Sequence, residues 1–150
     1  MDSIFIIEGP NDWCANIPLG DKTLRFDAAG QLQADSATYY GACHQMFNYL
    51  TQMYPDAYIL VMGTPIAAAN TYDLYNDQGL TSFDYGDALC DAASMWGLPS
   101  FNIGEMMGVN VNNVQDAQAL MYEGIHFVEG GARMAADVII QEIATRKYYK

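Results

Sequence analysis

Basic residues are scarce in this chain. Six lysines and arginines stand against eighteen aspartates and glutamates, a formal net charge of -12 over 150 residues. Such a surface is repelled by nucleic acid backbones and anionic membrane faces, so neither nucleic acid nor membrane is expected as a partner. Cysteine is scarce too. Cys14, Cys43 and Cys90 form an odd set without metal-ligand spacing, which argues against a disulfide framework and against a metal centre. No apolar run reaches membrane-spanning length, and the first residues lack the basic-then-apolar layout of a secretion signal. Repeats and low-complexity tracts are missing as well. What is there is globular: 51% of residues are apolar and only 16% charged, enough for one domain over 1–150 with its own core.

Short apolar runs alternate with helical periodicities. Ile4-Phe5-Ile6-Ile7, closed by Gly9-Pro10-Asn11-Asp12, reads as a strand buried on both faces and ending in a loop. A long connection follows to about residue 35. Tyr39, Cys43, Met46, Phe47, Leu50 and Tyr54 then mark one face of a helix that Pro55 stops, with His44 expected at its surface or boundary. Ala57 to Met62 gives a second strand, ended by Gly63-Thr64-Pro65. Thr81 or Ser82 can cap a helix reaching about Trp96, with Gly97 as its terminator. Leu98 to Ile103 gives a third strand, followed by a polar loop over 104–115. A helical turn is expected near 117–122, then a loop carrying His126. The last helix runs from about Glu129 to Lys147, its inner face drawn from Ala132, Ala136, Ile139, Ile140 and Ile143. This order predicts an α/β fold: a three-layer αβα, flavodoxin-like parallel sheet with right-handed crossovers. Its ligand crevice would lie beyond the carboxyl ends of the strands, where Gly9–Asp12 and Gly63–Pro65 meet.

Two histidines restrict the choice of a general base. His126 follows Glu123 by three residues, a spacing at which a carboxylate can hold one imidazole nitrogen while the other accepts a proton. Asn11 and Asp12 sit at a strand end, where a side-chain amide can donate to a developing oxyanion or simply serve the turn. Trp13 can wall a pocket or join the core.

Together these segments resemble the SGNH (GDSL-like) esterases. Gly9-Pro10-Asn11-Asp12 after an apolar strand matches that family's G-x-N-D block. Glu123-Gly124-Ile125-His126, followed by Glu129-Gly130-Gly131, resembles its D-G-x-H block ahead of the C-terminal helix. Tyr54-Pro55-Asp56-Ala57 and Trp96-Gly97-Leu98-Pro99 fall where the family has its Y-P-x-A and Y-G-I-P segments. The resemblance implies Asn11 as oxyanion donor, His126 as general base and Glu123 as its orienting partner. Gly9, Asp12, Trp13 and Thr64 are expected near an ester substrate. No cofactor and no metal is expected. The absence of a Gly-rich phosphate loop speaks against a nucleotide-binding domain.

The chain departs from the family twice. Glu123 stands where the family has Asp. The family's serine block precedes the G-x-N-D strand, and Ser3 cannot replace that serine. It opens the same strand that Asn11 follows, and at ~3.3 Å per residue it stands on the order of 20 Å away. Thr64 and Cys14 are the remaining nucleophile candidates in the crevice region. The expectation is therefore the C-terminal portion of an ester hydrolase, with the serine supplied by another chain or segment. That partner would cover the Ile4–Ile7 strand edge. The alternative is a catalytically inactive structural or binding component of a larger assembly.

Overall fold

The apolar runs do become strands, and their neighbours decide how far each is buried. The computed structural model describes residues 3–64, 73–113, 116–122 and 125–146. Strand β1 (Ser3–Glu8) turns at Gly9 into a one-turn helix α1 (Pro10–Cys14), and helix α2 (Tyr39–Met53) leads to β2 (Tyr58–Gly63). Helix α3 (Ser82–Met95) leads to β3 (Ser100–Asn102), which passes directly into a short α4 (Ile103–Met106). A 3-10 turn (Asp116–Leu120) precedes a two-residue hairpin pair, β4 (Met121–Tyr122) and β5 (His126–Phe127). Helix α5 (Glu129–Arg146) closes the chain.

The main sheet is parallel in the order β1-β2-β3. Ser3 pairs with Tyr58 and Glu8 with Gly63, while Val61 pairs with Ser100 and Gly63 with Asn102. Strand β2 lies in the middle, so its continuous run Ile59–Gly63 is buried on both faces. Strand β1 is an edge and differs from the expectation: Ile6 is buried, but Phe5 is 51% and Ile7 48% exposed. Alternation along a strand sends these two sets to opposite faces.

On one face Ile6, Ile59 and Val61 pack under α2 and α3 through Tyr39, Cys43, Phe47, Tyr85, Leu89 and Ala93. On the other, Leu60, Met62 and Phe101 meet Ala135, with Val138, Ile139 and Ile143 of α5 beside them. Helices on both faces of a parallel sheet give the expected α/β layering.

Local chemistry sets the helix ends. Thr38 caps α2 by accepting from the Gly41 amide. Thr81 and Asp84 form a reciprocal capping box at the start of α3, and Gly97, at φ +68°, follows its last turn. At the sheet's centre a Cβ on Gly63 or Gly86 would stand 2.5 or 2.6 Å from Asn102 Oδ1. Only glycine lets α3 approach β2 and β3 this closely.

Three expectations are corrected. His44 is not at a boundary but only 1% exposed. Trp96 Nε1 donates to its Nδ1 at 3.1 Å, so its Nε2 carries the proton and donates to the Lys22 carbonyl at 3.0 Å. The polar loop after β3 instead begins as α4, with Ile103 and Gly104 buried. Finally, α5 is turned in part from its expected face: Ile139 and Ile143 pack against the sheet as expected, but the rest of that stripe does not. Gly131 and Ala135 are its buried residues, Ala132 and Ala136 are exposed, and Ile140 is 63% exposed. A Cβ on Gly131 would collide with the Leu120 carbonyl, so this contact sets the helix against the 3-10 turn and fixes its rotation.

Candidate active site

The crevice expected beyond the strand ends is there, and separate segments build it. Gly9 adopts φ +143°, a conformation side chains disfavour, and this lets β1 reverse into α1. Pro10 fits the first helical turn because its missing N–H has no partner there anyway. Asn11 follows, exposed, and its side-chain amide has no partner among the described residues. Thr64 leaves the end of β2. Its Oγ1 is buried without a hydrogen-bond partner among the described residues, close to where a Cβ on Gly9 would lie (3.6 Å).

His126 comes from the far end of the sequence. It is exposed and pairs with Tyr122 across the β4–β5 hairpin, not in the open loop that was expected. The hairpin is anchored by buried Met121 and half-buried Phe127, and by the Val128 amide donating to the Leu120 carbonyl at 3.0 Å.

Asn11, Thr64 and His126 line one cleft of about 410 Å³, with Ile7, Ile103, Ile125 and Phe127 around them. Its remaining wall is α5, through Ala132, Ala135, Ala136 and Ile139. Apolar walls around a few polar groups strengthen a hydrogen bond to a developing charge once a substrate fills the cleft. Three of the residues singled out in the sequence thus meet at one place.

The others do not line it. Gly9 lies beneath, as the turn that delivers Asn11. Asp12 stands in the first turn of α1, where burial pushes its carboxyl above the usual aspartate range, partly offset by a backbone amide. Trp13 takes the core alternative: it packs in the α2–α3 layer, its Nε1 donates to the Leu80 carbonyl at 3.0 Å, and it does not line this cleft. Glu123 lies outside the described residues. Cys14 is exposed but off the cleft, and burial of its thiol raises its pKa, which disfavours the reactive thiolate. None of the chain's five serines lines the cleft, and Ser3 stands at the opposite end of β1 from Gly63. The apolar lining from β1 and α5 was missed, because Ala132, Ala136 and Ile139 read in sequence as core.

A second cleft of about 480 Å³ lies beside α3, where Asp84, Asp87 and Glu105 line it together. It contains none of the expected residues. Among the described residues no group of His, Cys, Asp and Glu is placed to hold a metal ion, and no helix is long and apolar enough to cross a membrane.

No protein-family model matches the chain, and no curated protein matches it in sequence. Solved structures do match in shape. A crystal structure of a Lactobacillus plantarum protein superposes with a TM-score of 0.77 at 20% identity, over 96% of this chain and 67% of that one. A candidate GDSL-like lipase from Bacteroides ovatus gives 0.62 at 14% identity, over 96% of this chain and 54% of that one. A peptidoglycan O-acetylesterase gives 0.64 at 17% identity, again over 96% of this chain but 37% of that one. The chain therefore spans about two-thirds or less of the structures it matches. At these identities the likeness is one of fold alone: a parallel α/β fold shared with structures that include a GDSL-like lipase and an O-acetylesterase.

Proposed function

We propose that this chain is the part of a serine-type ester hydrolase that holds the oxyanion donor and the general base. The carrying observation is the meeting of Asn11 and His126, from opposite ends of the sequence, in one apolar-walled cleft with Thr64. The serine comes from another chain or segment. Its hydroxyl attacks the ester carbonyl while His126 takes the proton, and the new oxyanion accepts a hydrogen bond from the Asn11 amide. Collapse of this intermediate expels the alcohol, which receives the proton from His126. Water then repeats the cycle on the acyl-serine and releases the acid. Glu123 orients His126, and the buried Thr64 hydroxyl is available to an oxygen of the substrate. The substrate class is a small acyl ester, with acetyl groups on carbohydrate as the favoured case; the acetylesterase among the fold neighbours supports this choice.

The test uses p-nitrophenyl acetate. The chain alone should show no turnover, and addition of the serine-bearing segment should restore it along with fluorophosphonate labelling of that serine. In the restored enzyme, Asn11→Ala should lower kcat by about a hundredfold or more, and His126→Ala comparably. Activity that survives His126→Ala would overturn the mechanism. A complex that forms yet neither turns over nor takes the label would identify a binding module instead.

A further inference from the structure

Helix α1 carries Asn11, yet it is a single turn of five residues with no side-chain cap at Gly9. One turn fixes many backbone angles for very few hydrogen bonds, so it does not hold its place by itself. What holds it is the connection 76–80, and Asn76 is the hub. Its Oδ1 accepts from the Gln78 and Leu80 amides, both at 3.0 Å. Its Nδ2 donates to the Trp13 carbonyl, 63 residues back in the chain, at 3.3 Å and to the Tyr85 hydroxyl at 3.2 Å. Those four bonds are the whole capacity of an asparagine side chain. Both Oδ1 partners are N–H groups, which fixes the amide's orientation and turns its nitrogen towards α1. Tyr85 is fully buried, and its hydroxyl donates in turn to the Ile17 carbonyl just beyond α1. A second grip closes at Asn16. At φ +56° it is the only residue besides glycines in the left-handed region among the described residues. Its Oδ1 accepts from the Asp77 amide at 2.8 Å, and its Nδ2 donates to the Asp77 carboxylate at 3.0 Å. The Gln78 side chain also donates to the Asn16 carbonyl.

We propose that Asn76 and Asn16 are positioning residues for Asn11: they pin the exit of α1 to the connection 76–80 and so hold the Asn11 amide where an oxyanion would form. The role given to Asn11 rests on the ester reading, whereas the tether itself does not. A residue that served only its own turn would need only the Oδ1 bonds of Asn76. The Nδ2 bonds leave that turn and reach α1 and α3. Misplacing a catalytic donor by about 1 Å can cost on the order of a hundredfold in rate, so loss of the tether is read in kcat and not in KM.

Two variants separate the tether from the turn. Asn76→Asp keeps the acceptor for Gln78 and Leu80 and removes the donor to Trp13 and Tyr85. Asn16→Gly keeps the left-handed backbone without steric cost and removes both side-chain bonds to Asp77. NMR relaxation of amide nitrogens is measured on the chain alone. In either variant the order parameter of the Asn11 backbone amide should fall from ~0.85, the rigid range, to below ~0.6, while amides of α2 and β2 stay rigid. Asp27→Ala, which removes a comparable turn network at Ala29 and Gln31, should leave Asn11 unmoved. In the enzyme restored with the serine-bearing segment, Asn76→Asp and Asn16→Gly should each lower kcat for p-nitrophenyl acetate about tenfold, with KM within about twofold. An unchanged Asn11 order parameter in both variants overturns the proposal. So does a loss of order spread evenly over the whole chain, which marks a merely structural role. A kcat that falls in Asn11→Ala but in neither tether variant also overturns it, and leaves the ester reading standing. If Asn11→Ala itself leaves kcat unchanged, the ester reading fails instead, and the order parameters still decide the tether.

Discussion

His44 shows what a single residue hides from sequence. Its helical position is compatible with either a surface or a core role. What buries it are the Trp96 indole and the Lys22 carbonyl, brought from distant segments. Replacement by leucine would strand a part-buried indole N–H and a backbone carbonyl, so His44→Leu should cost about 1–2 kcal/mol in a urea titration. Asp87 makes the opposite case. Burial raises its pKa above 3.8, followed by the nearby Glu105 charge, while the Asn102 amide donating at 2.6 Å works against the rise. A raised carboxyl pKa means the charged form is disfavoured in the folded state, so this residue lowers stability above its folded pKa. The penalty fades as pH falls through that value and is gone near 3.8, where the unfolded chain also takes the proton. Asp87→Asn keeps an acceptor for Asn102 and removes the charge. It should stabilise at neutral pH by about 0.5 kcal/mol, a figure discounted for its exposure, and the gain should vanish in melts near pH 4. By contrast, the placement of Asn11 and His126 near the strand ends was legible, because each is tied to an element's end.

Elements were easier to find than to orient. Alternating runs and turn residues located all three main strands and the three long helices, because hydrophobic periodicity is a local property. The rotation of α5 was not legible. Its sequence offers Ile139, Ile140 and Ile143 as the bulkiest stripe, yet with Gly131 against Leu120 the helix turns Ala135, Val138, Ile139 and Ile143 to the sheet and Ile140 outward. The two faces should answer differently to substitution. Ala135→Leu overpacks the α5 layer and should cost about 1–3 kcal/mol. Ile140→Glu, on the exposed side, should stay within about 0.5 kcal/mol. Equal losses in thermal melts of the two variants would contradict the observed rotation. The β4–β5 hairpin was read as a loop because two-residue strands leave no periodic signal.

At the scale of the whole molecule, charge is the dominant long-range term. Asp84, Asp87 and Asp91 follow one another along α3, and Glu105 adds to the same field. The exposed pairs Lys22–Asp91, Arg25–Asp21 and Arg133–Glu129 engage half of the chain's six basic side chains, against eighteen acids. Salt weakens those pairs but screens the larger self-repulsion more. Raising sodium chloride from about 20 mM to about 500 mM should therefore raise Tm, and an unchanged or lower Tm would contradict this balance.

The contact of Gly63, Gly86 and Asn102 carries a consequence for descent. The asparagine side chain fills the space that a methyl group on either glycine would need. A lineage cannot gain a side chain at 63 or 86 while keeping asparagine at 102, nor enlarge residue 102 while the helix stays close. These positions, in a strand, a helix and another strand, form one heritable unit. Related sequences should change there jointly or not at all.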